Sequence, residues 1–333
     1  MKKLKFVVIG CGRIGGRHLE QISSRGEISA VCDIDNSKAT HYAKIYGCKS
    51  YTSIDDLIND DLDFDVASIC TPNGLHFPQS IALLKAKKHV LCEKPIALSA
   101  DQVGEMIITA EKNNVRLFAV KQNRFNPPVV KLKELIAENA LGNISSIQLN
   151  CFWNRNEEYY TNSWKGSLDL DGGTLYTQFS HFIDLLYWFF GDIEDVKGFS
   201  KNDNHSYIDF EDTGVVVLKF KNGIIGSINY NVNAYNKNFE GSLAVFGTKG
   251  TFKIGGQYLN EIEYQEIEGL NKITVDKGNL PNNYGSYVGS MSNHGLVYDN
   301  LIAVLDNDQA ISANAFEALK TVEIIERIYK AIR

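Results

Sequence analysis

None of the six cysteines, at positions 11, 32, 48, 70, 92 and 151, forms a C-x-x-C pair, so the spacing of a zinc site is missing and no metal is expected. Cys32, Cys70 and Cys92 fall at the ends of predicted strands, where a reduced thiol packs as a small hydrophobe. This usage fits a reducing compartment, and the cytoplasm is the expected address. No apolar run approaches the ~20 residues of a membrane helix. The apolar stretch that follows Lys2, Lys3 and Lys5 is only strand length and ends at Gly10, which excludes a signal peptide. A basic surplus is also lacking. Lys and Arg number 34 against 40 Asp and Glu, a net charge of −6, which argues against a non-specific nucleic-acid or membrane binder. An anionic substrate must therefore meet a local cationic pocket. The chain shows no internal repeat and no low-complexity stretch.

What is present is an ordinary globular composition, 44% hydrophobic and 22% charged, over 333 residues. At ~100–200 residues per domain, that length predicts two domains. The first third alternates strand and helix. Leu4–Ile9, Ile28–Cys32, Val66–Cys70, His89–Cys92 and Leu117–Val120 are continuous apolar runs, as strands covered on both faces should be. The helices between them carry start and stop signals: Ser53 with Asp56, Ser99 with Gln102, and Gly47 closing the helix that begins near Asn36. Such repetition predicts a doubly wound parallel sheet, the Rossmann arrangement, over residues 1–122.

Past Pro127–Pro128 the texture changes. A helix stops near Gly142, and from Ile144 the signals are antiparallel. Ile144–Trp153 alternates; Gly214–Phe220 and Ile224–Val232 flank Lys221-Asn222-Gly223, a hairpin signal; Ser242–Phe246 and Thr251–Ile254 flank a second turn. One long helix is expected over about Thr174–Phe190, and two more near Leu296–Leu305 and Ala313–Ile332. Residues 269–292 form a candidate mobile loop. The expected fold is α/β followed by α+β. An open-faced antiparallel sheet domain spans 123–333, its last helix packing back on the first domain.

Gly10-Cys11-Gly12-Arg13-Ile14-Gly15 reads G-x-G-x-x-G between a clean strand and a helix start, the context in which this pattern holds a dinucleotide. Gly10 allows the tight turn. Gly12 lets the backbone approach a pyrophosphate at the helix N-terminus, and Gly15 lets the helix pack on the strand. Asp33 ends the second strand, placed to accept ribose hydroxyls and to repel a 2′-phosphate; Ile34 follows, with no adjacent Arg, so NAD is expected over NADP. Thr71-Pro72-Asn73 follows the fourth strand, where ligands of such sheets lie.

Glu93-Lys94-Pro95 follows the fifth strand. With the fingerprint, Thr71-Pro72-Asn73 and His76, and the sheet-rich second half, it resembles the Gfo/Idh/MocA oxidoreductases over essentially the whole chain. A narrower likeness is carried by Lys121-Gln122-Asn123-Arg124, Phe152-Trp153, Trp164-Lys165-Gly166, Asp171-Gly172-Gly173, Gln178, Ser180-His181 and His294-Gly295. It is to the bacterial UDP-N-acetyl-2-amino-2-deoxyglucuronate 3-dehydrogenases, which oxidise C3 of a nucleotide-linked sugar acid for surface polysaccharide.

The resemblance implies NAD-dependent oxidation of a sugar hydroxyl, with Lys94 and His181 at the reacting carbon. It adds His76, Glu93 and Gln122 to the cofactor-binding residues. It makes Lys121, Asn123, Arg124, Tyr160, Trp164, Lys165 and Gln178, with His181, the substrate-binding set. A lysine beside the positive nicotinamide ring should lose basicity through like charge and desolvation and serve as base or as a donor to an alkoxide. Thr174, Gln178, His181 and Asp184 share one helical stripe, and Asp184 is spaced to orient the histidine. Thr177 departs from the family, many of whose members carry an aspartate four residues before the histidine; this shifts weight toward His181 as base. A dehydrogenase of a free sugar or inositol, and a catalytically silent NAD-binding regulator, are the other readings. The family also implies a homodimer or homotetramer assembled through the open sheet, whose uncovered apolar face makes this reasonable.

Overall fold

The computed structural model describes residues 3–161, 163–283, 288–312 and 314–333, and the chain divides into two compact units. The first comprises residues 1–121 with 294–322, the second 122–293 with 323–333. Each is thus made of two separated stretches, where a division of the sequence at 122/123 places 294–322 with the second.

The first unit is built on six parallel strands, β1 (Lys5–Ile9), β2 (Glu27–Cys32), β3 (Lys49–Tyr51), β4 (Val66–Ile69), β5 (His89–Cys92) and β6 (Leu117–Ala119), in the order β3-β2-β1-β4-β5-β6. The crossovers carry α1 (Arg13–Ser23), α2 (Asn36–Tyr46), α3 (Ile54–Asn59), α4 (His76–Lys85) and α5 (Ala100–Lys112). Val7, Val8, Val66, Ile69, Val90 and Leu91 have no exposure, as the contiguous apolar runs require of strands covered on both faces. The helix signals act as expected. Ser53 caps α3 by accepting from Asp56 N, Ser99 caps α5 by accepting from Gln102 N, and Gly47 ends α2 at φ 66°. The strand order reverses between β1 and β4, so the carboxyl ends of these two strands flank the switch point at which such sheets bind ligands.

The second unit opens with α6 (Pro127–Ala137). Its seven-stranded sheet contains β7 (Ile144–Phe152), β8 (Ile193–Lys201), β9 (Thr213–Phe220), β10 (Ile225–Asn231), β11 (Glu240–Gly247), β12 (Gly250–Gly255) and β13 (Glu261–Ile267), in the order β13-β12-β11-β7-β10-β9-β8. All neighbours are antiparallel except β7 and β10. The Asn-Gly turn closes β9 onto β10 as a three-residue loop, with Phe220 N bonded to Ile224 O at 2.8 Å. Along β9, Val216, Leu218 and Phe220 point inward while Val215 and Val217 point out.

Between β7 and β8 lie α7 (Glu157–Tyr160), α8 (Thr174–Thr177) and α9 (Ser180–Phe190). The expected single helix over Thr174–Phe190 is in fact two. Phe179 leaves the helical region at φ −118°, ψ 8°, and its ring packs on Trp153 at 5.2 Å and on Tyr230 at 6.2 Å. Phe182 meets Trp153 at 5.6 Å and Phe190 meets Phe220 at 5.7 Å, so α9 covers the inner face of the sheet. Truncating a ring such as Phe182 to Ala should cost about 3–5 kcal/mol. The outer face keeps Phe199, Val215, Val217 and Ile225 exposed.

The stretch expected to be a loop over 269–292 holds two short paired strands, β14 (Pro281–Asn283) and β15 (Val288–Met291); residues 284–287 between them lie outside the described residues. The chain ends with α10 (His294–Asn307) and α11 (Ala315–Ile332). α10 joins the first unit through Arg25–Asp299 at 2.7 Å and Tyr298 OH to Ser68 Oγ at 2.8 Å. The end of α11 belongs to the second unit, where Tyr329 OH donates to Glu211 Oε1 at 2.9 Å and accepts from Leu175 N at 2.9 Å. No helix among the described residues is long and apolar enough to cross a membrane.

Candidate active site

In the first unit the glycine turn leaves β1 and enters α1. Gly10 has φ 91°, and a Cβ there would lie 2.7 Å from the Cys70 backbone; a Cβ on Gly15 would lie 2.0 Å from Gly10 O. Only glycine lets the turn close on β4 and α1 pack on the turn. Gly12 caps α1 with no side-chain hydrogen bond, no acidic residue occupies the first turn, and a Cβ on Gly12 would meet nothing within 4 Å. Arg13 and Ile14 follow as the first helical residues. A bare helix N-terminus facing open space suits a pyrophosphate.

Asp33 holds this turn as well as facing outward. Its Oδ2 accepts from Cys11 N at 2.7 Å and its Oδ1 from Asp35 N at 2.9 Å. A carboxylate has about four acceptor sites, so capacity remains for ribose hydroxyls. Ile34, beside it, is 93% exposed and offers no cation to a 2′-phosphate. These residues therefore fit NAD.

At the other side of the switch point, His76 ties the Thr71 turn to the E-K-P segment. Its Nδ1 lies 2.7 Å from Pro95 O and its Nε2 2.9 Å from Thr71 O, so both ring nitrogens of this expected cofactor residue face protein carbonyls. Burial pushes its pKa down. Thr71 Oγ1 donates to Gln79 Oε1 at 2.6 Å, and Asn73 is buried at the start of the following turn. The Lys94–Pro95 peptide is cis. Lys94 is half-buried, and its N–H donates to Glu93 Oε2 at 3.0 Å. Glu93 Oε1 lies 2.9 Å from His18 Nε2 and 3.2 Å from His294 Nε2, all three residues buried. His18 escaped the sequence reading, although it follows Gly15 by three residues and so shares its helix face.

Lys121 is buried and donates to Thr321 Oγ1 at 3.0 Å. In the second unit, Gln122, Asn123 and Arg124 form a single turn ahead of α6. Asn123 is 1% exposed, and neither atom of its amide finds a hydrogen-bond partner among the described residues; the same holds for Gln122 Oε1. Buried amides left in this state point to a bound polar group. Arg124 behaves differently from the substrate residue expected. Its Nε and Nη2 each donate to Asp184 at 2.7 Å, a buried bidentate pair. Asp184, expected to orient His181, thus has both oxygens held by Arg124.

The stripe Thr174, Gln178, His181 and Asp184 is buried rather than solvated. Gln178 accepts from Arg155 Nε at 2.7 Å and donates to Tyr159 OH at 2.9 Å. The buried Arg155 guanidinium lies 4.9 Å from the Trp153 ring and 5.1 Å from the Tyr159 ring. Lys165 stands 4.6 Å from the Tyr159 ring and 5.2 Å from Trp164. Tyr160 is buried against Tyr159 and His205, and burial pushes its pKa up. Thr177, which replaces the family's aspartate, donates its hydroxyl to the carboxylate of Asp171. Burial raises Asp171 to about 6, against the opposing hydrogen bonds from Thr177 and Gly166.

A parallel sheet with a glycine turn, a bare helix start and an acid at the second strand end defines a dinucleotide-binding domain. Residues 4–121 match the model of the oxidoreductase family with an NAD-binding Rossmann fold, and residues 129–253 match the GFO/IDH/MocA C-terminal domain. The chain belongs to the Gfo/Idh/MocA family and is an NAD-dependent oxidoreductase. It is similar to the WlbA dehydrogenase of Bordetella pertussis, solved in complex with NADH and UDP-GlcNAcA, at 32% identity and a TM-score of 0.89 over 99% of this chain and 96% of that one. It is equally similar to the WlbA dehydrogenase of Chromobacterium violaceum, also with NADH and UDP-GlcNAcA, at 33% identity and a TM-score of 0.88 over 99% and 94%. Glucose-6-phosphate 3-dehydrogenase of Bacillus subtilis (strain 168) is 28% identical over 98% of this chain and 95% of its own length.

Proposed function

We propose that this chain oxidises the C3 hydroxyl of a UDP-linked N-acetylated glucuronic acid with NAD, as a step in making a sugar for surface polysaccharide. The observation that carries this reading is the whole-chain likeness, at 32% and 33% identity, to two enzymes solved with NADH and UDP-GlcNAcA. The cations and rings of the second unit support it. Arg155 and Lys165 offer charge to a sugar carboxylate or diphosphate, and Trp164 and Tyr159 offer faces to sugar or base. Asn123 supplies an amide able both to donate and to accept.

Gly10, Gly12, Gly15 and Asp33 hold the dinucleotide, which supplies the hydride acceptor. His181 takes the hydroxyl proton, a task worth ~10²–10⁴-fold. Lys94 donates to the developing alkoxide. The test is NADH formation from a panel of UDP-uronic acids, neutral UDP-sugars, sugar phosphates and free sugars. Turnover confined to UDP-uronic acids is expected; turnover confined to sugars without a nucleotide would overturn the reading. The likeness to a glucose-6-phosphate 3-dehydrogenase and to the myo-inositol 2-dehydrogenase of Thermotoga maritima favours a dehydrogenase of a free sugar, sugar phosphate or inositol as the alternative.

A further inference from the structure

We propose that His18 and His294 are positioning residues for Lys94, acting through Glu93, whose carboxylate they grip on one oxygen while its other oxygen receives the Lys94 backbone N–H. The inference rests on Lys94 working at the reacting carbon.

The proton inventory permits one arrangement. An ionised carboxylate only accepts, so both imidazoles present Nε2–H to Glu93 Oε1 and the Lys94 peptide presents N–H to Oε2. His18 Nδ1, 2.7 Å from Tyr298 OH, is then an acceptor and the phenol its donor. The phenol oxygen in turn accepts from Ser68 Oγ at 2.8 Å. Every hydrogen bond in the chain Ser68–Tyr298–His18–Glu93 points the same way. This accounts for how a buried anion is tolerated: three N–H donors reach it. Burial alone pushes Glu93 up; the hydrogen bonds from His18 and His294 outweigh it and hold the carboxyl well below its usual range. Burial pushes His18 down, and Glu93 offsets that only in part.

The other titratable groups that feel Glu93 are Cys70 after β4, Cys92 ending β5, Tyr298 on α10 and His76 on α4. Burial raises the two thiols and the phenol and lowers His76, so these four stay neutral around pH 7. The gripping groups come from α1 and α10, 75 and 201 residues away from Glu93. They fix the peptide from which Lys94 springs, and a displacement of about 1 Å at a catalytic group costs on the order of 100-fold in rate.

The test compares His294→Gln, which keeps an N–H near the place of Nε2, with His294→Leu, which does not. With UDP-GlcNAcA and NAD, the Leu variant should lose about 10–100-fold in kcat with KM changed less than about threefold. It should also gain an acidic limb in its pH profile, because an under-bonded Glu93 protonates more readily; the Gln variant should recover most of the rate and lose the limb. Independently of turnover, nitrogen NMR should show His18 as the neutral Nε2–H tautomer and His294 with a proton on Nε2. The amide signal of Lys94 should move in the Leu variant and return in the Gln variant. Equal loss in both variants without the limb, or an unmoved Lys94 amide, would overturn the proposal. So would a stoichiometric divalent metal that departs with His18→Gln. Full turnover by Lys94→Ala would instead refute the catalytic role on which it rests, while leaving the amide and tautomer readouts intact.

Discussion

Arg124 and Asp184 face one another through two parallel hydrogen bonds of 2.7 Å, with side chains only 4% and 2% exposed. Asp184→Ala would strand a guanidinium in the interior. It should lower stability by about 3–5 kcal/mol, read as a lower urea midpoint. The double change Arg124→Met with Asp184→Leu should recover much of that loss, because matched apolar groups need no solvation. A single variant as stable as the parent would show that the pair is replaceable by water.

Asp33 has two tasks, bracing the glycine turn and receiving ribose hydroxyls. Asp33→Ala should weaken NAD binding about 10–100-fold by titration calorimetry, the worth of hydrogen bonds to a charged group. NADP binding should weaken less or improve, since repulsion of its phosphate disappears. Equal losses for both cofactors would leave Asp33 only the bracing task.

Asp171 gives a pH signature in stability. Its folded pKa of about 6 lies above the usual ~3.9 of an aspartate, so the folded state holds its proton longer than the unfolded chain. The contribution is fully present below about pH 4 and lost as pH rises through 6, a fall of up to about 3 kcal/mol. Asp171→Asn should lack that slope, so the difference between parent and variant melting temperatures should carry it between pH 4 and 7. A slope of opposite sign would mean that the carboxylate is stabilised rather than strained by its burial.

The outer sheet face carries Phe199, 87% exposed, beside Val215, Val217 and Ile225. We propose that a second copy of the chain covers it. Light scattering should give a mass of at least twice 37.2 kDa, and Val217→Glu should shift it down. A parent that is monomeric at micromolar concentration would refute this.

The strands that sequence patterning located have neighbours on both sides, except β6, an edge strand whose three residues are all buried and apolar. Those it missed are mostly borders. β3 and β13 each end a sheet, as does β8, and their exposed positions carry Lys49, Glu261, Glu263, Glu194, Asp195 and Lys201. Charge on an edge hinders unwanted pairing and also hides the period of two. The same logic applies to the site. The glycine turn and Asp33 were legible because a strand, a turn and a helix start are contiguous. The partners of Glu93 and Arg124 were not, because long-range folding alone brings them together. The stripe on α8 and α9 was found at the right spacing, but its burial was not, since residues supplied by distant strands cover it.

Neither unit is a continuous piece of chain: the seams fall after residues 121, 293 and 322. A fragment ending at Asn293 would strip Glu211 and the Leu175 amide of Tyr329, leaving the N–H without its partner and the buried carboxylate with the longer 3.3 Å bond from Tyr230. Recombination between relatives that exchanged one unit cleanly would need three crossovers rather than one. Swapping cofactor and substrate specificities by simple fusion at the first seam should therefore yield insoluble chimaeras, whereas exchanges respecting all three seams should fold.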